Sequence, residues 1–165
     1  MKTSTLPLLP CMCSSFRRTS RALTQVYEAA LRPVGLHATQ FTILQVLSLA
    51  GERTQGELGT MMAMDSTSLT RALAVMIREG WIAERRGDDR RERWLGLSRD
   101  GKTQLDRALP VWEGVQAQLR GQVGSEVWDG LLKLTRHVTA IATDQAARQI
   151  GQDNTQHNTE QGGRL

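Results

Sequence analysis

A chain of 165 residues, 39% of them hydrophobic, is about one domain's worth and long enough to bury one core. Its net charge of +4 is carried far more by arginine than by lysine, which suits phosphate and guanine-edge recognition, although a membrane surface or an acidic protein would answer the charge alone equally well. No stretch approaches the roughly 20 apolar residues that cross a bilayer, and the opening MKTSTLPLLPCMC, broken by Pro7 and Pro10 and without a small residue before Cys11, does not read as a secretory or lipoprotein signal. A cytoplasmic, reducing setting follows, in which Cys11 and Cys13 rest as thiols.

Residues 1–12 read as a flexible arm. A helix is expected from Ser14 or Ser15 to Leu31, where Phe16, Ser20, Leu23, Tyr27 and Ala30 recur at spacings of four and three and Pro33-x-Gly35 closes the run. The next, Leu36 to Ala50 with a cap near Thr39, carries Phe41, Ile43, Leu44, Val46, Leu47 and Leu49 so densely that burial on most sides is expected. Thr54-Gln55-Gly56-Glu57 has the form of a capping box and opens a short helix with Leu58, Met61 and Met62 as core filler.

The stretch Met64–Arg99 is the most informative. Asp65 is placed to cap a helix whose Leu69, Leu73, Met76 and Ile77 share one face, while Thr67, Arg71, Ala74 and Arg78 lie opposite with Thr70 at the margin. Gly80 ends that helix, and Trp81–Arg86, a Gly-Asp-Asp turn and Glu92–Ser98 read as a β-hairpin with Leu95 and Leu97 facing inward. Five arginines and three acids fall between Arg85 and Arg93. A polar-faced helix followed by a basic hairpin is the winged helix-turn-helix plan, with the helix in the major groove and the wing on backbone or minor groove. The DNA-contact candidates are Ser66, Thr67, Ser68, Thr70, Arg71, Arg78, Arg90, Arg91 and Arg93.

Beyond the hairpin, a helix from Ser98 to about Gln122 carries Leu105, Leu109, Trp112, Val115 and Leu119 and contains Pro110, which should kink it. Gly124-Ser125 breaks the chain. Glu126 to about Ala147 repeats Val127, Leu131, Leu134, Val138 and Ile141 as a heptad-like seam that needs a second surface. The expected architecture is mainly α with a small β-hairpin wing: a winged helix-turn-helix over 36–99, dimerisation helices over 13–35 and 100–148, and a disordered tail over 149–165 that is rich in Gln, Asn, Gly and Thr.

The segment STSLTRALAVMIREGWI, then Asp89-x-Arg91, Leu95 and Leu97-Ser98-x-x-Gly101, resembles the core pattern of the MarR family of bacterial transcriptional regulators, with helix, turn and wing in the right order. The resemblance implies a homodimer, commonly a repressor, on inverted-repeat promoter DNA, released by a small molecule or a thiol oxidant. It also implies that Asp89 steadies the wing by pairing with an arginine, while Arg91 or Arg90 enters the minor groove. Alignment of Tyr27 and Gly35-Leu36 with the organic-hydroperoxide-sensing OhrR branch puts Cys13 at that branch's reactive cysteine and Tyr27 at one of its two thiolate-holding tyrosines. Ala38 stands where the second tyrosine would be.

Three readings of Cys11-x-Cys13 stay open: a sulfenic acid at Cys13 that condenses with Cys11 of the same or another subunit, capture of a soft metal or metalloid, and inert packing. A helix N-terminus beside Cys13 and Arg17 one turn on would both favour its thiolate. The non-redox alternative is a small phenolic or aromatic effector lodged near Phe16, Tyr27, His37 and Trp112. Neither a nucleotide-cradling loop, a nucleophile elbow nor a metal-ligand spacing among His37, His137 and His157 is present in the sequence, so no enzymatic activity, cofactor or metal is expected. A winged helix that binds protein is the remaining alternative, against which the polar face around Thr67, Thr70 and Arg71 argues.

Overall fold

The computed structural model describes residues 11–87 and 92–162. The chain divides into two compact units, residues 1–117 and 118–165. In the first unit, helix α1 spans Met12–Leu31, starting earlier than the apolar spacing suggested, with Cys11 in the extended N-cap position. Its end passes through a 3-10 turn at Arg32–Val34, where Pro33 supplies the fixed φ, and Gly35 reverses the chain at φ 79°.

Helix α2 is Ala38–Ala50, and its cap is His37 rather than a residue near Thr39. Gln40 is buried and its Oε1 accepts from the His37 backbone N–H at 2.9 Å, while Glu28 of α1 accepts from the Ala38 N–H at 2.8 Å. Two orphan donors of the first turn are thereby satisfied. Phe41, Ile43, Leu44 and Leu47 are buried as expected. Leu49 is not; at 85% exposure it lies off the face that Leu44 and Leu47 bury, and the apolar density of the run overstated its burial.

A two-residue strand β1, Arg53–Thr54, precedes helix α3, Gln55–Met62. The capping box forms: Glu57 N–H donates to Thr54 Oγ1 at 3.2 Å and Thr54 N–H donates to Glu57 Oε2 at 2.8 Å. Leu58 is buried, but Met61 is exposed and only Met62 packs on the core. Ala63 takes a left-handed conformation at φ 49° and turns the chain into helix α4, Ser66–Arg78. Strands β2 (Ile82–Arg86) and β3 (Arg93–Leu97) follow as an antiparallel hairpin, and β1 adds to the far edge of β3 to give the order β1-β3-β2.

Leu31, Phe41, Leu44, Leu58, Leu69, Leu73, Met76, Ile82, Leu95 and Leu105 belong to one buried cluster, so the helices α1 to α5 and the strands β2 and β3 share the same core. Helix α5, Arg99–Val123, is continuous through Pro110. Its start is built tightly. Ser98 Oγ accepts from the Gly101 N–H at 2.9 Å and donates to the Gly80 carbonyl at 2.6 Å, tying the helix entry to the end of α4. A Cβ on Gly101 would lie 2.0 Å from the Trp81 carbonyl oxygen, so only glycine fits this crossing. Buried Gln104 of α5 donates to the Val34 carbonyl at 2.6 Å and locks the turn after α1.

The second unit holds the end of α5, a break at Gly124 with φ 89°, and helix α6. Helix α6 runs from Ser125 to Gly162, whereas composition assigned residues 149–165 to a disordered tail. Extending an existing helix adds one hydrogen bond per ordered residue, and no proline follows Pro110 to stop it. Among the described residues no helix is long and apolar enough to cross a membrane.

Candidate nucleic-acid interface

Helix α4 has the two faces that its sequence implies. Leu69, Leu73 and Met76 are buried, Ile77 is half-buried, and Ser66, Thr67, Ser68, Thr70, Arg71, Ala74 and Arg78 are exposed. The Asp65 carboxylate accepts from the Ser68 backbone N–H at 2.8 Å, and that bond holds its pKa below the ordinary value. Ser66 to Arg71 therefore occupy a capped, ordered first turn and a half. Arg78 sits at the other end, about 18 Å along the helix from Ser66, in a loose contact with Glu79 at 3.5 Å.

The hairpin register pairs Ile82 with Leu97, Glu84 with Leu95, Arg85 with Trp94 and Arg86 with Arg93. Leu95 goes fully into the core, but Leu97 is half-buried. Two arginines of the hairpin strands, Arg85 and Arg93, are engaged within the protein. Arg93 makes a two-pronged contact to Glu84, Nε to Oε1 at 2.5 Å and Nη2 to Oε2 at 2.7 Å, and this bond from Arg93 holds the Glu84 carboxylate below its ordinary pKa. Arg85 reaches Glu52 at 2.8 Å and lies over the Trp94 ring, 4.9 Å from its centroid. Arg93, read from sequence as a DNA contact, is thus tied to β2. Asp89, Arg90 and Arg91 lie outside the described residues.

Sequence reasoning missed Gln55. It is the first residue of α3, where no periodicity marks it, yet its Nε2 donates to Thr70 Oγ1 at 2.8 Å and its Oε1 accepts from Arg93 at 3.3 Å. The signal available was its position just after the Thr54 cap, which aims its side chain along the helix entry. Gln55 joins the exposed face of α4 to the wing strands.

Cys11 and Cys13 are both exposed, so neither packs in this chain's own core. Cys13 occupies the first turn of α1 and Cys11 its extended N-cap position, and both thiols are free. Tyr27 lies on the same continuous helix 14 residues on, about 21 Å away at 1.5 Å per residue. One chain does not bring Tyr27 to the thiols. Burial raises the Tyr27 pKa, consistent with its packing against the core.

The effector-pocket candidates other than Tyr27 each sit in a different setting. Trp112 packs on Phe41 with centroids 5.8 Å apart, His37 Nδ1 lies 2.9 Å from Glu28 Oε2, and Phe16 is exposed on α1. An open groove of about 550 Å³ is lined by Thr24, Gln25, Glu28, Ala29 and Arg32, and none of the three lines it.

Comparison with known proteins places this architecture. A profile of the MarR family matches residues 34–92. The transcriptional regulator MosR of M. tuberculosis, in a crystal structure with DNA, is 39% identical and superposes with a TM-score of 0.68 over 79% of this chain and 97% of that one. A mutant E. coli MarR complexed with operator DNA is 20% identical, with a TM-score of 0.68 over 76% of this chain and 91% of that one, a likeness of fold. The uncharacterized HTH-type transcriptional regulator YwoH of Bacillus subtilis is 25% identical over 89 residues, which are 54% of this chain and 65%, just under two thirds, of that protein. These are regulators and not enzymes, and the chain belongs to the MarR family of winged helix-turn-helix, DNA-binding transcriptional regulators.

Proposed function

We propose that the protein acts as a homodimeric repressor that sets α4 of each subunit into the major groove of an inverted-repeat promoter site and leaves it when an N-terminal thiol is oxidised. The observation that carries the DNA contact is the exposed polar face Ser66, Thr67, Ser68, Thr70 and Arg71 on a capped helix whose other face buries Leu69, Leu73 and Met76 in the core. Arg90 and Arg91 of the wing tip would meet the minor groove, with Asp89 pairing one of them. Arg93 is better placed to brace the wing than to reach DNA.

The dimer is supported by apolar side chains without cover in one chain: Met12, Phe16, Leu23 and Val26 on α1, and Val127, Leu131, Leu134 and Ile141 on α6. Such stripes suit a second copy, and two-fold symmetry would set the two recognition helices about 34 Å apart. The same assembly is what Tyr27 needs, since only a second subunit's α1 can carry it to Cys13. In the redox step an organic hydroperoxide takes the attack of the Cys13 thiolate, leaving a sulfenic acid and an alcohol; condensation with a Cys11 thiol then releases water and forms a disulfide.

The test is fluorescence anisotropy of the reduced protein on DNA from its own upstream region, titrated with cumene hydroperoxide, beside Cys13→Ser. Release of the wild type with retention of Cys13→Ser is expected. Loss of DNA by both proteins alike would remove Cys13 as the sensor, and no binding at low salt would remove the DNA-binding role.

A further inference from the structure

The hydrogen bonds around Gln55 have a direction that can be worked out atom by atom. A guanidinium only donates, so the Gln55 atom facing Arg93 Nη1 at 3.3 Å is the carbonyl oxygen. The atom facing Thr70 is then the amide nitrogen, which also only donates, and Thr70 Oγ1 accepts at 2.8 Å. The hydroxyl proton of Thr70 goes the other way, to the Ser66 carbonyl at 2.7 Å. A one-way chain results, from the Arg93 guanidinium held by Glu84, through Gln55, to Thr70 and into the backbone of α4.

A threonine hydroxyl has one donor and two acceptor sites. In this arrangement the donor and one acceptor are already committed inside the protein. What Thr70 has left for a partner is its γ-methyl and a single lone pair. It cannot give a proton to guanine O6 or N7, or to any other base acceptor, without releasing the bond to Ser66.

Resting on the reading of α4 as the groove helix, we propose that Thr70, its hydroxyl proton held by the Ser66 carbonyl and one lone pair filled by the positioning residue Gln55, meets the major groove as a methyl surface and favours the thymine methyl over a guanine edge. The wing strand thereby takes part in base selection without touching the base, because Arg93 holds Gln55 and Gln55 holds the Thr70 side chain in place. Apolar contact with a thymine methyl is one of the recognised modes of major-groove readout.

The experiment selects duplexes from a pool randomised over 24 base pairs, using the reduced full-length wild type, Thr70→Val, Thr70→Ser and Gln55→Ala, and then measures affinity for the selected site with thymine or uracil at each position. Thr70→Val keeps the methyl and is expected to select the same site within about threefold in affinity. Thr70→Ser keeps the hydroxyl and loses the methyl; it should bind about fourfold more weakly, the scale of one buried methyl group, and should cease to distinguish thymine from uracil at one base pair per half-site. Gln55→Ala, which removes one of the two bonds that hold the Thr70 side chain, should weaken the preference for thymine over uracil at that pair alone, with its neighbours still read as in the wild type, an effect that general loosening of the fold would not confine to one position. Wild-type affinity in Thr70→Ser, a tenfold or greater loss in Thr70→Val, or an unchanged thymine preference in Gln55→Ala would each overturn the inference. Failure of the wild type to enrich any duplex would instead overturn the DNA-binding role itself.

Discussion

Replacing Gly101 with alanine tests whether the entry to α5 is as tight as its geometry implies. The added Cβ would lie 2.0 Å from the Trp81 carbonyl oxygen, 2.9 Å from its carbon and 3.0 Å from Leu97 Cδ1. Carbon–oxygen contacts rest at about 3.3–3.6 Å, so the helix start must move by more than 1 Å against backbone that β2 and the Ser98 bonds hold in place. Overpacking of this kind costs about 1–3 kcal/mol when flexible side chains can give, and more when backbone must. About 4 kcal/mol is a reasonable figure here, against which alanine's better helix propensity returns about 1 kcal/mol. The net of about 3 kcal/mol corresponds to a fall in Tm of roughly 6–12 °C for a chain of this size. Thermal unfolding followed by circular dichroism reads it, with Gly114→Ala as the companion, since nothing lies within 4 Å of a Cβ there and that variant should gain slightly. A Gly101→Ala protein melting within about 2 °C of wild type would refute the crossing as described.

Other outcomes follow from the same structure. Asp65→Ala removes the N-cap bond to Ser68 and should lower Tm by about 2–4 °C while weakening DNA binding, because the first turn of α4 carries the proposed contact residues; a stable variant with unaltered affinity would count against that turn. Four carboxylates, Glu28, Glu57, Asp65 and Glu84, have pKa values lowered by folding. For Glu28 burial pushes upward, but the His37 and Ala38 bonds outweigh it. Depressed carboxylates give stability above their ordinary values near 4 and lose it as pH falls through the lowered ones. Tm should thus be flat from about pH 7 to 5 and drop below about pH 4, less steeply in Glu84→Gln, and a Tm unchanged down to pH 3 would contradict the bonds. Arg71→Ala should weaken specific binding by about 1–3 kcal/mol, more on the selected site than on random DNA; an equal loss on both would make it a phosphate contact.

How much of this the sequence disclosed depended on whether a residue acts through a repeat or through a meeting. Leu69, Leu73 and Met76 repeat at helical spacing, and Thr54 with Glu57 is a local pair, so α4 and the α3 cap were readable in one dimension. β1 was not, since two residues have no period and its partner Leu95 is about forty positions away. Arg93 looked like one more basic residue in a charged run, and only the cross-strand register shows that Glu84 is within its reach. Gln55 joins residues 15 and 38 positions distant, a relation that no local pattern encodes. Cys13 and Tyr27 show the reverse: alignment linked them, and the continuity of α1 separates them within one chain.

That continuity has a mechanical side. Twenty unbroken helical residues make a rod about 30 Å long, with the thiols at one end and Glu28 near the other, where its carboxylate grips both His37 and the first amide of α2. A rod pinned by a carboxylate behaves as a lever whose fulcrum is that joint. Over the roughly 24 Å from Met12 to Glu28, a sideways push of about 2 Å at the tip of a rigid rod corresponds to a tilt of about 5° at the joint. On the thiol-switch reading proposed above, a small chemical change at the exposed end of α1 would reach its joint with α2 as rotation.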